Sequence, residues 1–401
     1  MLAGGRRLGG LKSALVRFAN LRDPAVAVRG CIAVRMPGGF CPRAANHAFH
    51  LPCRYLSSAR ASFVHVPMTY PLSALPRTTT GLAAIQAPVK ERLERVFDGL
   101  RTVAVSDFDM VEEVNQYLLS VPGKLFRPTL VLLSSDVGGK ASDDSVTLGA
   151  VVELVHMATL VHDDAVDHSV LRRGMPTVNS LWTHQIAIIM GDYLYSRAVT
   201  ELARLGDLEA VRVLASAANE MSVGEMRQLL CYDDISYSES EYFKLISAKT
   251  ASLMSAACEM GALAGVPAFR APLRRFGHCL GMAFQIADDM LDYAGSEEET
   301  GKPTGLDLRG RKVTLPLVGA LREMTVAEVE QVQHMFTLVE PGDDDVAATI
   351  GLVRRNGGLE YARSKAREYA DSAQAAIDPL PPGPALDALR ESVFYAVERS
   401  R

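Results

Sequence analysis

The stretch "ELVHMATLVHDDAVD", Glu153 to Asp167, is apolar on most faces until its last turn, where three carboxylates crowd together. Apolar residues on nearly every face mark a helix at the centre of a bundle. Asp163 and Asp167 stand at i and i+4, so their carboxylates lie one above the other, with Asp164 beside them. Like charges so placed destabilise a helix and resist burial, so something cationic must compensate. The same DDxxD spacing returns in "QIADDMLDYAG" as Asp288, Asp289 and Asp292, again where an apolar helix ends. One such motif in a chain of this length is weak evidence. Two at equivalent places point to facing carboxylate clusters that hold hard divalent cations. Clustered oxygen ligands suit magnesium, which keeps several waters and is usually shared with substrate phosphates.

That reading requires basic residues for the remaining phosphate charge. Arg172 and Arg173 follow the first cluster by one loop, "GKLFRP" offers Lys124 and Arg127, Lys249 stands beside Thr250 in "SAKTASLM", and Lys302 and Lys312 come after the second cluster. Guanidinium forks match phosphate oxygens in bidentate fashion, and lysines act as point charges.

Around these motifs the chain reads as helix after helix. Apolar residues at i, i+3, i+4 and i+7 predict helices over Ala87–Leu119, Ser145–Leu160, Thr183–Leu205, Leu208–Leu230 and Pro272–Tyr293, separated by short joints bearing Gly, Pro or Asp. No alternating run is long enough to insist on a sheet, so the fold class is all-α, a helical bundle. "PLPPGP", Pro379 to Pro384, reads as a turn before a last helix and carries no chemistry.

With 401 residues, 48% apolar and 22% charged, the chain can bury a large core. The net charge of −5 is unevenly spread: the first sixty or so residues are arginine-rich with Asp23 as their only acid, and the rest is acidic, which argues against a nucleic-acid partner. Arg6, Arg7, Lys12, Arg17 and Arg22 around Leu11, Leu15, Val16 and Phe18 compose an amphipathic, acid-poor leader of the mitochondrial kind over residues 1–60. "RYLSSARAS", Arg54 to Ser62, resembles its processing site, and a single folded domain is expected over 84–401. No stretch of about 18 uninterrupted apolar residues marks a membrane-spanning helix. Among the six cysteines no CxxC pair supports a zinc site or a disulfide framework.

The landmarks "GKLFRP", "ELVHMATLVHDDAVD", "LRRGMPTVN", "GDYLYSRA", "SAKTASLM", "FQIADDMLD" and "GKPTGLDLRGRKVTLPL" make the chain resemble the trans-isoprenyl diphosphate synthases from about Ala84 onward. The resemblance implies a helical bundle around a deep cavity, with an aspartate-rich motif on each of two opposite walls at its mouth. It makes Asp163 and Asp167 ligands of magnesium ions, usually three, that clamp an allylic diphosphate. Asp288 supplies the facing wall, with Asp289 and Asp292 as direct or water-mediated support, so that Asp288 and Asp292 join the metal ligands and Asp164 and Asp289 count among the catalytic acids. Lys124, Arg127, His156 and Arg173 then bind isopentenyl diphosphate. Arg172, Lys249, Lys302 and Lys312 meet the allylic diphosphate, and Thr250 and Gln285 face the developing cation. "GKLFRP" has Leu125 where many relatives carry Arg, and Gly310 and Arg311 replace a common Glu-Gly pair.

In short-chain members, bulky aromatics four and five residues before the first aspartate close the cavity floor. Ala158 and Thr159, with Val155 a turn deeper, leave it open here, which implies a long-chain product of the solanesyl or decaprenyl type from a farnesyl or geranylgeranyl primer. Together with the leader this suggests synthesis of the ubiquinone side chain in the mitochondrion. A peripheral membrane contact for product release and a dimer, of one kind of subunit or two, follow by resemblance. The alternatives are a farnesyl or geranylgeranyl diphosphate synthase, a terpene cyclase, and a non-catalytic subunit of a heteromeric synthase. Retention of both motifs argues against the last two.

Overall fold

The computed structural model describes residues 80–120, 123–230, 235–294 and 305–398. The expected leader, its processing stretch and Lys302 lie outside the described residues. In chain order the helices are α1 (Thr80–Gln86), α2 (Lys90–Val103), α3 (Asp109–Ser120), α4 (Phe126–Asp136), α5 (Asp144–Val166), the short α6 (Val178–Leu181), α7 (His184–Leu205), α8 (Leu208–Leu230), α9 (Glu239–Ile246), α10 (Ser252–Leu263) and α11 (Arg270–Ala294). After these come α12 (Leu306–Arg309), α13 (Leu315–Leu321), α14 (Val326–Thr337), α15 (Asp343–Arg355), α16 (Gly358–Ile377) and α17 (Pro384–Glu398).

α5 is the axis of the bundle. Its residues from Leu148 to Val155 are buried without interruption, because α4, α7, α2 and α10 surround it. By length and composition α5 is apolar enough to cross a membrane, but 61% of that apolar window is buried inside the bundle, as befits a core helix. α11 is the second axis, packed between α10 and α16. Two glycines set the closeness of these contacts. A Cβ on Gly261 would sit 2.3 Å from the Val131 carbonyl oxygen of α4, and one on Gly281 would sit 2.6 Å from the Ala251 Cα.

The bundle departs from the sequence expectation in two places. The helix expected over Ala87–Leu119 is broken between Val103 and Asp109, because side chains of α7 capture the carbonyls freed there: Arg197 donates to Val103 O at 2.7 Å and Tyr193 to Val105 O at 3.1 Å. The Phe108 N–H meets the Ser106 hydroxyl at 3.2 Å, which starts the new helix in a different direction. A two-stranded antiparallel ladder, β1 (Leu171–Arg172) with β2 (Met175–Pro176), follows the first aspartate motif. Strands of two residues are too short to show alternation. The signal was instead the turn, where Arg173 and Gly174 both take positive φ, as a type I′ hairpin requires.

Replacing Gly261 with Ala should force α4 and α10 apart and destabilise the fold by about 1–3 kcal/mol. Urea unfolding of the variant beside the parent measures it, and an unchanged midpoint would mean the two helices do not need this approach.

Candidate active site

The two aspartate motifs line one cavity of about 1060 Å³. Asp163 and Asp167 descend from the C-terminal end of α5, and Gln285, Asp288 and Asp289 from the last turns of α11. Both clusters therefore sit at the negative ends of helix dipoles, where acids are unfavourable without a counter-charge. Lysines from elsewhere provide part of it: Lys249 Nζ lies 3.7 Å from Asp163, and Lys312 Nζ lies 4.0 Å from Asp167. Burial, opposed by Lys249 and reinforced by Glu225 and Asp167, pushes the Asp163 carboxyl up to about 6.

The second motif is divided by function. Asp289 is buried and accepts hydrogen bonds from the Tyr242 hydroxyl at 2.6 Å and the Gln285 amide at 2.7 Å, while Thr250 donates to the Gln285 carbonyl at 2.7 Å. Burial, then the neighbouring Asp307, raises Asp289 well above the usual carboxylate range. The chain Thr250, Gln285, Asp289, Tyr242 thus fixes the two side chains expected to face the cation. Asp292, expected among the metal ligands, has another occupation: its carboxylate accepts the N–H groups of Leu306 and Asp307, each at 2.9 Å. It ties the start of α12 back to α11.

Lys249 and Thr250 sit in a single π turn, Ser247–Ala251, inserted between α9 and α10. Such turns recur at functional sites because the extra residue re-aims side chains. Gly224 on α8 permits the turn to approach, since a Cβ there would stand 3.0 Å from the Ala248 Cβ and 3.2 Å from the Lys249 nitrogen. Glu225 and Gln228, one and four residues on, then meet Lys249 Nζ at 2.6 and 3.1 Å.

The basic residues divide likewise. Arg172 donates from Nε to both oxygens of Asp164, at 2.9 Å each, so the third acid of the first motif is already paired. Arg127 donates to His156 Nε2 at 3.0 Å, and because arginine only donates, that ring nitrogen is the unprotonated one. Burial, then Arg127, Arg173 and Arg172, holds His156 well below its ordinary value and therefore neutral. Glu153, raised by burial, faces Arg127 and Arg173 from the same helix. Lys124 is exposed at the edge of this group, with its ammonium 5.8 Å from the Tyr395 ring centre. Val155, Ala158 and Thr159 line the cavity below the aspartates.

Leu125, His168, Arg173 and Arg311 are the non-glycine residues with positive φ among those described, and each belongs to a loop flanking the site. Backbone held in this region costs energy and persists where the surroundings enforce it. Five further residues escaped the sequence reading: Glu153, Glu225, Gln228, Tyr242 and Asp307. Asp307 lies on the cavity wall, and burial and Asp292 drive it up to about 7 against the pull of Lys312. Its signal was an acid inside an otherwise basic loop. Glu225 offered only a charge beside a glycine.

Because Asp163 has a folded value of about 6, above its ordinary 3.8, the folded state keeps a proton that the unfolded chain has released. Its contribution to stability is present below pH about 4 and is lost as pH rises through about 6. In metal-free protein Asp163→Asn should therefore be more stable than the parent at pH about 8, with the gain fading toward pH about 4. Thermal unfolding across that range checks the sign.

Comparison with known proteins agrees with this geometry. The family described as polyprenyl synthetase matches residues 108–352. The octaprenyl diphosphate synthase of Escherichia coli (strain K12) is 35% identical over 328 residues, covering 81% of this chain and 97% of its own. A short chain isoprenyl diphosphate synthase of Methanothermobacter thermautotrophicus is also 35% identical, over 71% of this chain and 89% of its own. The crystal structure of a polyprenyl synthase from Caulobacter crescentus, complexed with calcium and isoprenyl diphosphate, superposes with a TM-score of 0.76 at 33% identity, covering 81% of this chain and all of that one. The chain belongs to the polyprenyl synthetase family and is a prenyltransferase, a polyprenyl diphosphate synthase.

Proposed function

We propose that the protein makes a long-chain product by joining isopentenyl diphosphate, head to tail and repeatedly, to a farnesyl or geranylgeranyl primer. Percentage identity alone does not separate product lengths, since an octaprenyl and a short-chain relative are both 35% identical, although the octaprenyl one aligns over more of the chain. The observation that carries the proposal is the cavity itself, which extends from the aspartates past Thr159 and Ala158 to Val155. Eight residues of helix separate Asp163 from Val155, about 12 Å. Where an aromatic would close the passage, Ala158 presents a methyl group.

Among the described residues no three His, Cys, Asp or Glu side chains converge into a closed metal cage. Asp163 and Asp167 on one wall and Asp288 on the other instead fit cations that complete their shells with water and substrate oxygens. The carboxyls of Asp163 and Asp307 are raised first by burial and then by neighbouring acids, an environment that a bound cation would relieve. We take the metal to be magnesium, three ions by family resemblance. When bound it neutralises diphosphate and makes it a better leaving group.

The chain's own residues supply the rest. Lys249, Lys312 and Arg172 line the cavity where the allylic diphosphate would lie, and their charge stabilises it as the carbon–oxygen bond ionises. Gln285 and Thr250, held by Asp289 and Tyr242, present fixed polar oxygens toward the allylic cation. Arg127, neutral His156 and Arg173, with Lys124 at the edge, would hold isopentenyl diphosphate so that its double bond attacks the cation. The new carbon–carbon bond leaves a tertiary cation, which loses a proton to the departing diphosphate and regenerates an alkene.

The arginine-rich leader supports a mitochondrial location, and leader and pocket depth together support a role in making the ubiquinone side chain. A dimer, with one or two kinds of subunit, and a peripheral membrane contact that releases the product complete the proposal.

Purified protein given labelled isopentenyl diphosphate, farnesyl diphosphate and magnesium should yield products well beyond geranylgeranyl length, sized by reversed-phase chromatography; mainly farnesyl or geranylgeranyl product would overturn the long-chain reading. Ala158→Phe should shorten the product, whereas an unchanged length distribution would place the ruler elsewhere. Asp288→Asn should lower kcat by about 100-fold or more, the usual effect of removing one preorganised electrostatic partner.

A further inference from the structure

Lys249 stands between two carboxylates. Its ammonium is 2.6 Å from Glu225 Oε2 and 3.7 Å from Asp163 Oδ2, with Gln228 Oε1 at 3.1 Å on the Glu225 side. The first distance is a close ion pair and the second a longer, looser one, and the ammonium donates a hydrogen bond to Gln228 on the Glu225 side. All three charged groups are largely sheltered, with side chains 20 to 25% exposed, so solvent screens their interaction weakly. The backbone is fitted to the arrangement, because Gly224 brings α8 against the π turn so that the very next residue reaches Lys249.

Asp163 is the acid that a cation needs. A lysine fully paired with it would occupy the same lone pairs and oppose the cation by like charge. We propose that Glu225 is a positioning residue that holds Lys249 back from Asp163, keeping this carboxylate open to the divalent cation while leaving the ammonium in reach of the diphosphate that arrives with it. Removing the Glu225 contact lets Lys249 collapse onto Asp163 as an internal competitor for the metal. The other lysine has a similar setting, since Lys312 lies 4.0 Å from Asp167 and its charge also acts on buried Asp307.

This inference rests on the proposed metal and diphosphate site, and its test reads binding rather than turnover. Calorimetric titration of magnesium pyrophosphate into the full chain is performed on the parent, Glu225→Gln, Glu225→Asp, Lys249→Met and the Lys249→Met/Glu225→Gln double variant, with circular dichroism as a check on folding. Glu225→Gln should weaken binding about tenfold, a coupling of ordinary size for neighbouring charges, and should have little effect in the Lys249→Met background. Glu225→Asp keeps the charge but withdraws it from Lys249, and should also weaken binding. Equal losses with and without Lys249 would mean that Glu225 acts directly on the cation and would overturn the inference. So would unaltered binding in Glu225→Gln, or an Asp variant indistinguishable from the parent. A parent that binds no magnesium pyrophosphate would overturn the site reading as well.

Discussion

The structure is organised around one electrostatic constraint: carboxylates gathered at the ends of two buried helices, in one cavity, with lysines from other elements meeting part of their charge. Asp163, Asp289 and Asp307 all sit above the ordinary carboxylate range, because burial and mutual repulsion favour their neutral forms. Such crowding costs stability and accomplishes nothing in a protein that merely folds. It becomes an asset when a dianionic or trianionic substrate enters with its metal, since the field is then already in place and no dipoles must reorganise.

Beside the acids that would meet metal stand others that are fixed by polar groups of the protein. Tyr242 and Gln285 hold Asp289, Arg172 holds Asp164, and Asp292 anchors the beginning of α12. Within a motif of one repeated residue type, then, the side chains do different work. Asp164 in the first cluster and Asp289 and Asp292 in the second are held by hydrogen bonds from neighbours in the protein. Arg354 extends the same principle further out by donating to the Tyr293 carbonyl, which ties α15 to the end of the catalytic helix.

Much of this was legible in the sequence because charge and periodicity are local signals. The buried run of α5 and its terminal DDxxD specify both a core helix and the chemistry at its end, and α8 starts at the expected Leu208. What escaped depends on contacts between distant segments. The break between α2 and α3 is fixed by Arg197 and Tyr193, some ninety positions away, and its one local sign was Ser106, whose hydroxyl meets the Phe108 N–H. Glu225 and Tyr242 looked like ordinary surface and core residues until α8, the π turn and α11 came together. The division of labour among Asp288, Asp289 and Asp292 was likewise hidden, since identical residues at regular spacing give no hint of which will be enclosed.

The π turn has a consequence for how this site can change over time. One surplus residue shifts the phase of everything downstream by about 100° on the helix. α9 buries Tyr242 and Ile246, and α10 is buried on nearly every face from Ser252 to Ala262, so that shift decides which side chain of α10 meets which neighbouring helix. Losing that residue would return the segment to regular hydrogen bonding and turn α10 by that angle, carrying Gly261 away from its close approach to α4 and setting a larger residue there. The bulge is thus bound to the architecture as firmly as to the chemistry, and drift in substrate preference must proceed by exchanging side chains around it rather than by altering its length.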